Sequence, residues 1–256
     1  MTLNFYELIH ELNKVYPESI QEEWDNSGIQ IGDLEQNIHH ILLVLDITEE
    51  SLNYAIDNNI DLIISHHPLL FSPIQSLIKG RGKSDLIIKA IKNGINIYSM
   101  HTNLDKDKKG VSANLLKTMD FHQDGFLDET GFVSFSETHI KKEECIQRIK
   151  DTLKIEDFIF YGKADHFSKI AVCGGSGGSF IDLCIEENID LFITGDLKHH
   201  DVELALLHGL SLMDIGHFNS EIEILKVVRK TLEVINDKIK IETFTKNPYK
   251  GCFIKS

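Results

Sequence analysis

Asp61-Leu62-Ile63-Ile64-Ser65-His66-His67-Pro68-Leu69-Leu70-Phe71 decides the fold class of this chain. Its first half is a short apolar run between polar residues, the pattern of a buried strand. Pro68 lacks a backbone donor and fixes its own φ, so the strand stops there and the chain turns. Two imidazoles therefore stand at the carboxyl end of a core strand, where open α/β sheets place their ligands. Neighbouring side chains on an extended chain point to opposite sides. His66 and His67 thus suit two metal ions flanking the chain, unless a twist at the proline turns them together. The alternative is a pair of polar residues hydrogen-bonded to carbonyls at the strand exit.

Outward from this run, apolar strands alternate with helices. Ile41–Asp46 reads as a strand and 48–58 as a helix capped by Thr48. Ser84–Lys92 is a helix and Ile95–Met100 a strand that delivers His101-Thr-Asn-Leu-Asp105, again metal-type residues at a strand's carboxyl end. A helix over Val111–Met119 follows. This alternation predicts α/β architecture with mainly parallel sheets covered on both faces. Upstream, Phe5, Leu8, Ile9, Leu12 and Tyr16 recur at helical spacing behind an Asn4/Glu7 capping box, and Pro17 ends that helix. Trp24-Asp-Asn-Ser-Gly-Ile-Gln-Ile-Gly32 is a polar turn entering a strand. Trp24 reads there as an anchor beside Asx turns, or else as a substrate contact.

Downstream, a linker and hairpin occupy 122–136, followed by a helix over 143–153 and a strand over 158–161. The opening pattern then returns. Ile41-Leu-Leu-Val-Leu and Ile170-Ala-Val-Cys-Gly lie 129 residues apart, as do Ile60-Asp-Leu-Ile-Ile-Ser65 and Ile189-Asp-Leu-Phe-Ile-Thr194. Two internally related α/β units explain a constant offset across strand, helix and strand. At that offset His66-His67 falls on Gly195-Asp196, so the second unit must contribute differently. It offers His217 and Glu221 after a strand over Leu210–Ile215, at the start of a helix running to about Ile235. Residues four apart share a face if that turn is helical; alternatively Asn219 or Ser220 caps the helix and Glu221 complements its dipole. A strand over 238–245 finishes the chain.

The 26 basic and 40 acidic residues give a net charge of −14, which repels nucleic acid and anionic membrane. An anionic small molecule remains admissible where a metal or a basic loop inverts the local field. Cys145, Cys173, Cys184 and Cys252 form no Cys-x-x-Cys pair, as in a reduced compartment. Residues 1–16 form an amphipathic pattern rather than a secretory signal, and no run is long enough to span a bilayer. A cytoplasmic location is expected.

Three strand ends offer His66 and His67, His101 and Asp105, and His217 and Glu221. Imidazoles and carboxylates without thiolates suit zinc, manganese or ferrous iron. So many donors exceed the needs of one tetrahedral ion and fit two sharing a carboxylate. Paired ions activate water at neutral pH and clamp a reacting oxygen, which points to hydrolysis.

In order along the chain, Trp24–Gly32, Ser65-His-His-Pro-Leu69, His101-Thr-Asn-Leu-Asp105, Thr194-Gly-Asp196 with His200, and Gly216-His217 with Ser220-Glu221 resemble the GTP cyclohydrolase 1 type 2 homologue family, also called the Nif-three-like family. The resemblance implies two interlinked α/β domains, a dinuclear metal site between them and a ring-shaped homohexamer. Its ligands fall on His66, His67, Asp105, His217 and Glu221, with Glu221 bridging. His101 falls beside the metals in a proton-transfer role, and His200 at a pocket position. The implied reaction opens the purine ring of GTP with water, giving formate and 7,8-dihydroneopterin triphosphate. Alternatives are another dinuclear hydrolase, acting on a phosphoester or cyclic amide, and a non-catalytic metal-binding scaffold or metal-handling protein. The expected division is a first domain over 1–124 and a second over 125–256, with the last strand able to return to the first. His39 and His40 match no ligand position and are expected at the surface.

An anionic nucleotide needs a holder on so acidic a chain. Gly174-Gly-Ser-Gly-Gly178 joins a strand to a helix, where glycine serves either phosphate approach or a tight turn. Lys79-Gly-Arg-Gly-Lys83 places three basic residues in five positions, so Lys79, Arg81 and Lys83 form a candidate mobile lid over a triphosphate.

Overall fold

Ile41–Leu45 and Leu62–Ile64 offer water no polar side chain. In the computed structural model, which describes residues 2–249, both runs are buried and all but Leu45 lie in strands at the heart of one sheet. The chain divides into two compact units, one made of residues up to 103 together with those from 228 onward, the other of residues 104–227. This differs from a division at 124/125 for a packing reason. Leu115 and Leu116 belong to the same apolar cluster as Ile170 and Leu191 of the second sheet.

In the first unit, β1 (Leu3–Asn4), α1 (Phe5–Val15), β2 (Gly28–Ile31), β3 (Asn37–Ile38), β4 (His40–Val44), α2 (Glu49–Asp57), β5 (Leu62–Ser65), α3 (Lys83–Lys92) and β6 (Asn96–Ser99) follow one another. The short α4 (Thr102–Asp105) runs across the 103/104 boundary. Local chemistry sets the helix starts. Asn4 Oδ1 accepts from Glu7 N at 2.8 Å while Glu7 Oε2 accepts from Asn4 N at 3.0 Å, and Thr48 Oγ1 accepts from Ser51 N at 3.1 Å. Such a cap is worth about 1 kcal/mol. The sheet order is β13-β4-β5-β6-β2, where β13 (Lys240–Thr243) is the returning last strand. Only β2 runs antiparallel to its neighbour. Because β13 docks beside β4, His40 is buried rather than exposed, with Nε2 2.9 Å from Glu242 Oε1, while His39 stays at the surface.

The second unit contains α5 (Val111–Thr118), β7 (Gly125–Phe126), β8 (Ser134–Lys141), α6 (Lys142–Leu153), β9 (Ile159–Tyr161), β10 (His166–Ser176), α7 (Ile181–Glu186), β11 (Leu191–Gly195), α8 (His199–Leu207), β12 (Ser211–Asp214) and α9 (His217–Glu221). One further helix, α10 (Ile224–Ile235), crosses the 227/228 boundary. The sheet order is β7-β8-β10-β11-β12-β9. Only β10, β11 and β12 are parallel; β7, β8 and β9 pair antiparallel. The expectation of mainly parallel sheets therefore holds for the first sheet and not for the second. Ser134-Phe-Ser-Glu-Thr-His-Ile-Lys141 lacks the continuous apolar run of a strand covered on both faces, as befits an antiparallel strand.

Among the described residues no helix is long and apolar enough to cross a membrane. Cys145, Cys173 and Cys184 are free buried thiols, and Cys252 lies outside the described residues.

Candidate metal centre

The first unit gathers three imidazoles. His66, His67 and His101 each bring one ring nitrogen within 4.8 Å of the others, with ring centroids 4.9 Å apart for His66–His67 and 5.3 Å for His66–His101. Adjacent histidines meet here because β5 ends at Ser65 and the chain bends immediately. Ser65 Oγ donates to the carbonyl of His67 at 2.9 Å, while the His66 and His67 amides donate to Val44 O and Leu45 O at 3.1 and 2.9 Å. The alternation expected of extended chain stops one residue too early to separate them.

Each ring is held by Nδ1. His66 Nδ1 lies 2.8 Å from the Met100 carbonyl, His67 Nδ1 3.0 Å from Asp46 Oδ1, and His101 Nδ1 2.8 Å from Asp25 Oδ1. An acceptor at Nδ1 fixes the proton there and turns Nε2 into the lone-pair donor, the support usual behind metal-bound histidine. Asp25 is the most elaborated of these acceptors. It also receives Thr102 N at 3.0 Å, Thr102 Oγ1 at 2.5 Å and Ser27 Oγ at 2.9 Å. Burial pushes its carboxyl up, but the bonds from His101 and Thr102 outweigh that and hold it well below the usual carboxylate range.

The second unit carries its donors on α9. That turn is helical, so His217 and Glu221 do share a face, with Nε2 3.1 Å from Oε1. His217 Nδ1 lies 2.7 Å from Asp196 Oδ2, completing the same arrangement for a fourth imidazole. Glu221 is buried. Asp105 ends α4, and it and Glu221 both act on the buried Cys173, whose thiol is raised well above its ordinary value by burial first and by these charges second.

The four glycines within 174–178 owe their place to packing. A Cβ on Gly175 would sit 2.5 Å from Glu221 Oε1, one on Gly177 2.5 Å from Thr194 Oγ1, and one on Gly178 2.5 Å from Asp201 Oδ2. Gly175 also has φ +66°. Close packing accounts for these glycines, with Gly175 making room for Glu221, while α7, only six residues long, offers little helix dipole.

His200 faces solvent, pairing with Glu203 on its own helix at 3.4 Å. Lys79, Arg81 and Lys83 are exposed; Lys83 Nζ lies 3.4 Å from Leu69 O, and Gly80 N donates to Asp85 Oδ1 at 2.7 Å. Trp24 is 59% exposed and so does not anchor a core. Sequence reasoning missed Asp46 as a partner of His67, and it saw Asp25, Gly175 and Asp196 only as parts of motifs. The one available signal for Asp46 was a charge placed directly after the apolar run 41–45.

Taken unit by unit, the donors suit a divalent ion: imidazoles held at Nδ1 in both, and in the second a buried carboxylate with a glycine where a side chain would displace Glu221. A Clostridium perfringens protein named "GTP cyclohydrolase 1 type 2 homolog" is 34% identical, covering 97% of this chain and 99% of that protein. A Helicobacter pylori protein named "GTP cyclohydrolase 1 type 2" is 31% identical over 94% of this chain and 96% of its own length. The crystal structure of a Staphylococcus aureus hypothetical protein superposes with a TM-score of 0.88 at 29% identity, covering 99% of this chain and all of that one. The family model described as Duf34/NIF3 (NGG1p interacting factor 3) matches residues 3–249, and the chain belongs to that family.

Proposed function

We propose that this chain is a dinuclear metal-dependent hydrolase that acts on GTP, releasing formate and 7,8-dihydroneopterin triphosphate. The observation that supports it most is the Nδ1 anchoring of His66, His67, His101 and His217, a preparation for metal rather than for a core. On this reading His66, His67, Asp105, His217 and Glu221 hold two divalent ions of the zinc, manganese or ferrous type, with Glu221 shared. Bound ions supply Lewis acidity and lower the pKa of water. His101, oriented by Asp25, moves a proton through Nε2. A ring-shaped homohexamer and a cytoplasmic location complete the proposal, with the nucleotide as small-molecule partner and neither nucleic-acid backbone nor membrane engaged.

The test is metal analysis of the purified protein beside a turnover assay for formate and pterin, with its mass in solution. Two ions per chain, metal-dependent product and a Glu221→Ala variant that stays folded but loses at least one ion are expected. Full occupancy of both sites in Glu221→Ala removes the bridging role. Retained metal with no turnover of GTP or other nucleotides makes the protein a metal-handling scaffold instead.

A further inference from the structure

Exposed aromatic rings stand beside the three histidines of the first unit. Trp24 is 59% exposed and Phe71 45% exposed, although Trp and Phe are the side chains with most to gain from burial. Their centroids are 5.9 Å apart, and each meets His101 edge-on, Trp24 at 6.0 Å and Phe71 at 6.2 Å. The two rings therefore form a wall whose inner edge is the imidazole assigned to proton transfer.

This wall is built, not incidental. The loops that carry the rings are tied together: Asn26 Nδ2 donates to Leu70 O at 2.5 Å, and Leu70 N donates to Gln30 Oε1 at 3.0 Å. Gln30 in turn donates from Nε2 to Asn26 O at 2.8 Å. Beneath Trp24, Asp25 is fixed by His101 and Thr102. Ordinary surface aromatics on loops carry no such bracing, and rigid aromatic faces cost a ligand little ordering entropy.

We propose that Trp24 and Phe71 form a stacking wall that receives a planar heteroaromatic ring, a nucleobase, and presents it to His101. The assignment rests on the reading of the histidine cluster as a reaction site. It adds to that reading a binding surface for the base itself. Stacking suits the task because every base has a π-face and the chain's negative charge opposes any recognition by phosphate alone.

Trp24 is the single tryptophan of the chain, so its emission reports on this wall alone. Protein stripped of metal and protein loaded with zinc are each titrated with GTP, with guanosine and with inorganic tripolyphosphate. GTP and guanosine should quench Trp24 to saturation, and tripolyphosphate should not. Phe71→Leu keeps apolar bulk but removes a π-face, and it should weaken GTP binding by roughly fivefold or more, the low end of a base–aromatic stack. Trp24→Phe should bind nearly as the parent by calorimetry, and Trp24→Leu should not. Equal quenching by tripolyphosphate, or unchanged affinity in Phe71→Leu and Trp24→Leu, overturns the proposal. A shift in solution mass in those variants with unaltered binding assigns the wall to a second copy of the chain and equally overturns it. Base binding without turnover keeps the wall and sinks the hydrolase; full turnover in Phe71→Leu does the reverse.

Discussion

The two sheets contain the same device twice. In the first, Ile41 pairs with Leu62 and Leu43 with Ile64; in the second, Ile170 pairs with Leu191 and Val172 with Ile193. Each residue stands 129 positions before its counterpart. Asp61 Oδ2 accepts from the amides of His39 and His40 at 2.8 and 2.9 Å, and Asp190 Oδ2 accepts from those of Ser168 and Lys169 at 2.6 and 3.0 Å. The third strand is tied in alike, by Met100 N to Ser65 O at 2.9 Å and by Ile215 N to Thr194 O at 3.0 Å. The units part company at the carboxyl ends. Where the first has Asp46 and His66-His67, the second has Gly175 and Gly195-Asp196. A Cβ on Gly195 would lie 2.6 Å from His217 N, so α9 packs too closely for side chains there. In the second unit the donors stand at the next strand's end, and the positions equivalent to Asp46 and His66-His67 carry two glycines, which leave room, and Asp196, which holds His217.

The largest effect expected concerns the third strand's end, where His101 in the first unit corresponds to Gly216 in the second. If, as proposed, only the first unit supplies the proton carrier, His101→Ala keeps the parent's metal content and loses turnover by about 10²–10⁴-fold. Unchanged turnover removes that asymmetry, and loss of metal makes His101 a ligand. A smaller effect belongs to the carboxylates behind the rings. Asp46→Asn and Asp196→Asn should each weaken metal binding by about 10–100-fold, as loss of such support does elsewhere. Chelator competition measures both; a loss confined to one variant would show that the two aspartates do unlike work.

Gly175→Ala tests the cradle. The new methyl meets Glu221 Oε1 and the residue must hold φ +66°, which costs about 1–2 kcal/mol for a residue with a Cβ. Lower thermal stability together with reduced metal occupancy is expected. The same substitution at Gly94, also at positive φ but with open space around it, should lower stability and leave metal content alone. If both variants keep full metal, packing against Glu221 is not why the second unit has glycine where the first has Asp46.

Why some of this was legible in sequence follows from distance along the chain. His66-His67 declared themselves because an apolar strand and a proline flank them directly, and His217 with Glu221 because a single helical turn relates them. The carboxylates behind them were not, because pairing is remote: 21 residues separate Asp46 from His67, 76 separate Asp25 from His101, and 21 separate Asp196 from His217. The parallel strands were readable as continuous apolar runs, whereas β8 carries Ser, Glu, Thr and His among its eight residues, and only its first three fall in the hairpin region read over 122–136. The unit boundary was hidden for the same reason. Nothing local in Leu115 or Leu116 says which sheet they will cover.

The smallest effect probes the repeat where no ligand is involved. Asn59 and Asn188 leave their helices at φ 54° and 55°. In each case the next amide reaches back to the helix, Ile60 N to Ala55 O and Ile189 N to Cys184 O, both at 2.9 Å. This is the left-handed helix ending that favours glycine first and asparagine next. Alanine there pays the clash of its Cβ without asparagine's local hydrogen bonding, about 1 kcal/mol. Asn59→Ala and Asn188→Ala should therefore lower the urea midpoint, while the glycine variants leave it level or raise it. The backbone hydrogen bonds match, so, apart from the long bond from Asn188 Nδ2 to Glu186 O at 3.3 Å, the two alanine costs should agree within about 0.5 kcal/mol and add in the double variant. A cost at one turn and none at the other would mean that the repeated geometry carries weight in only one unit, and that the likeness of the two sheets stops at their strands.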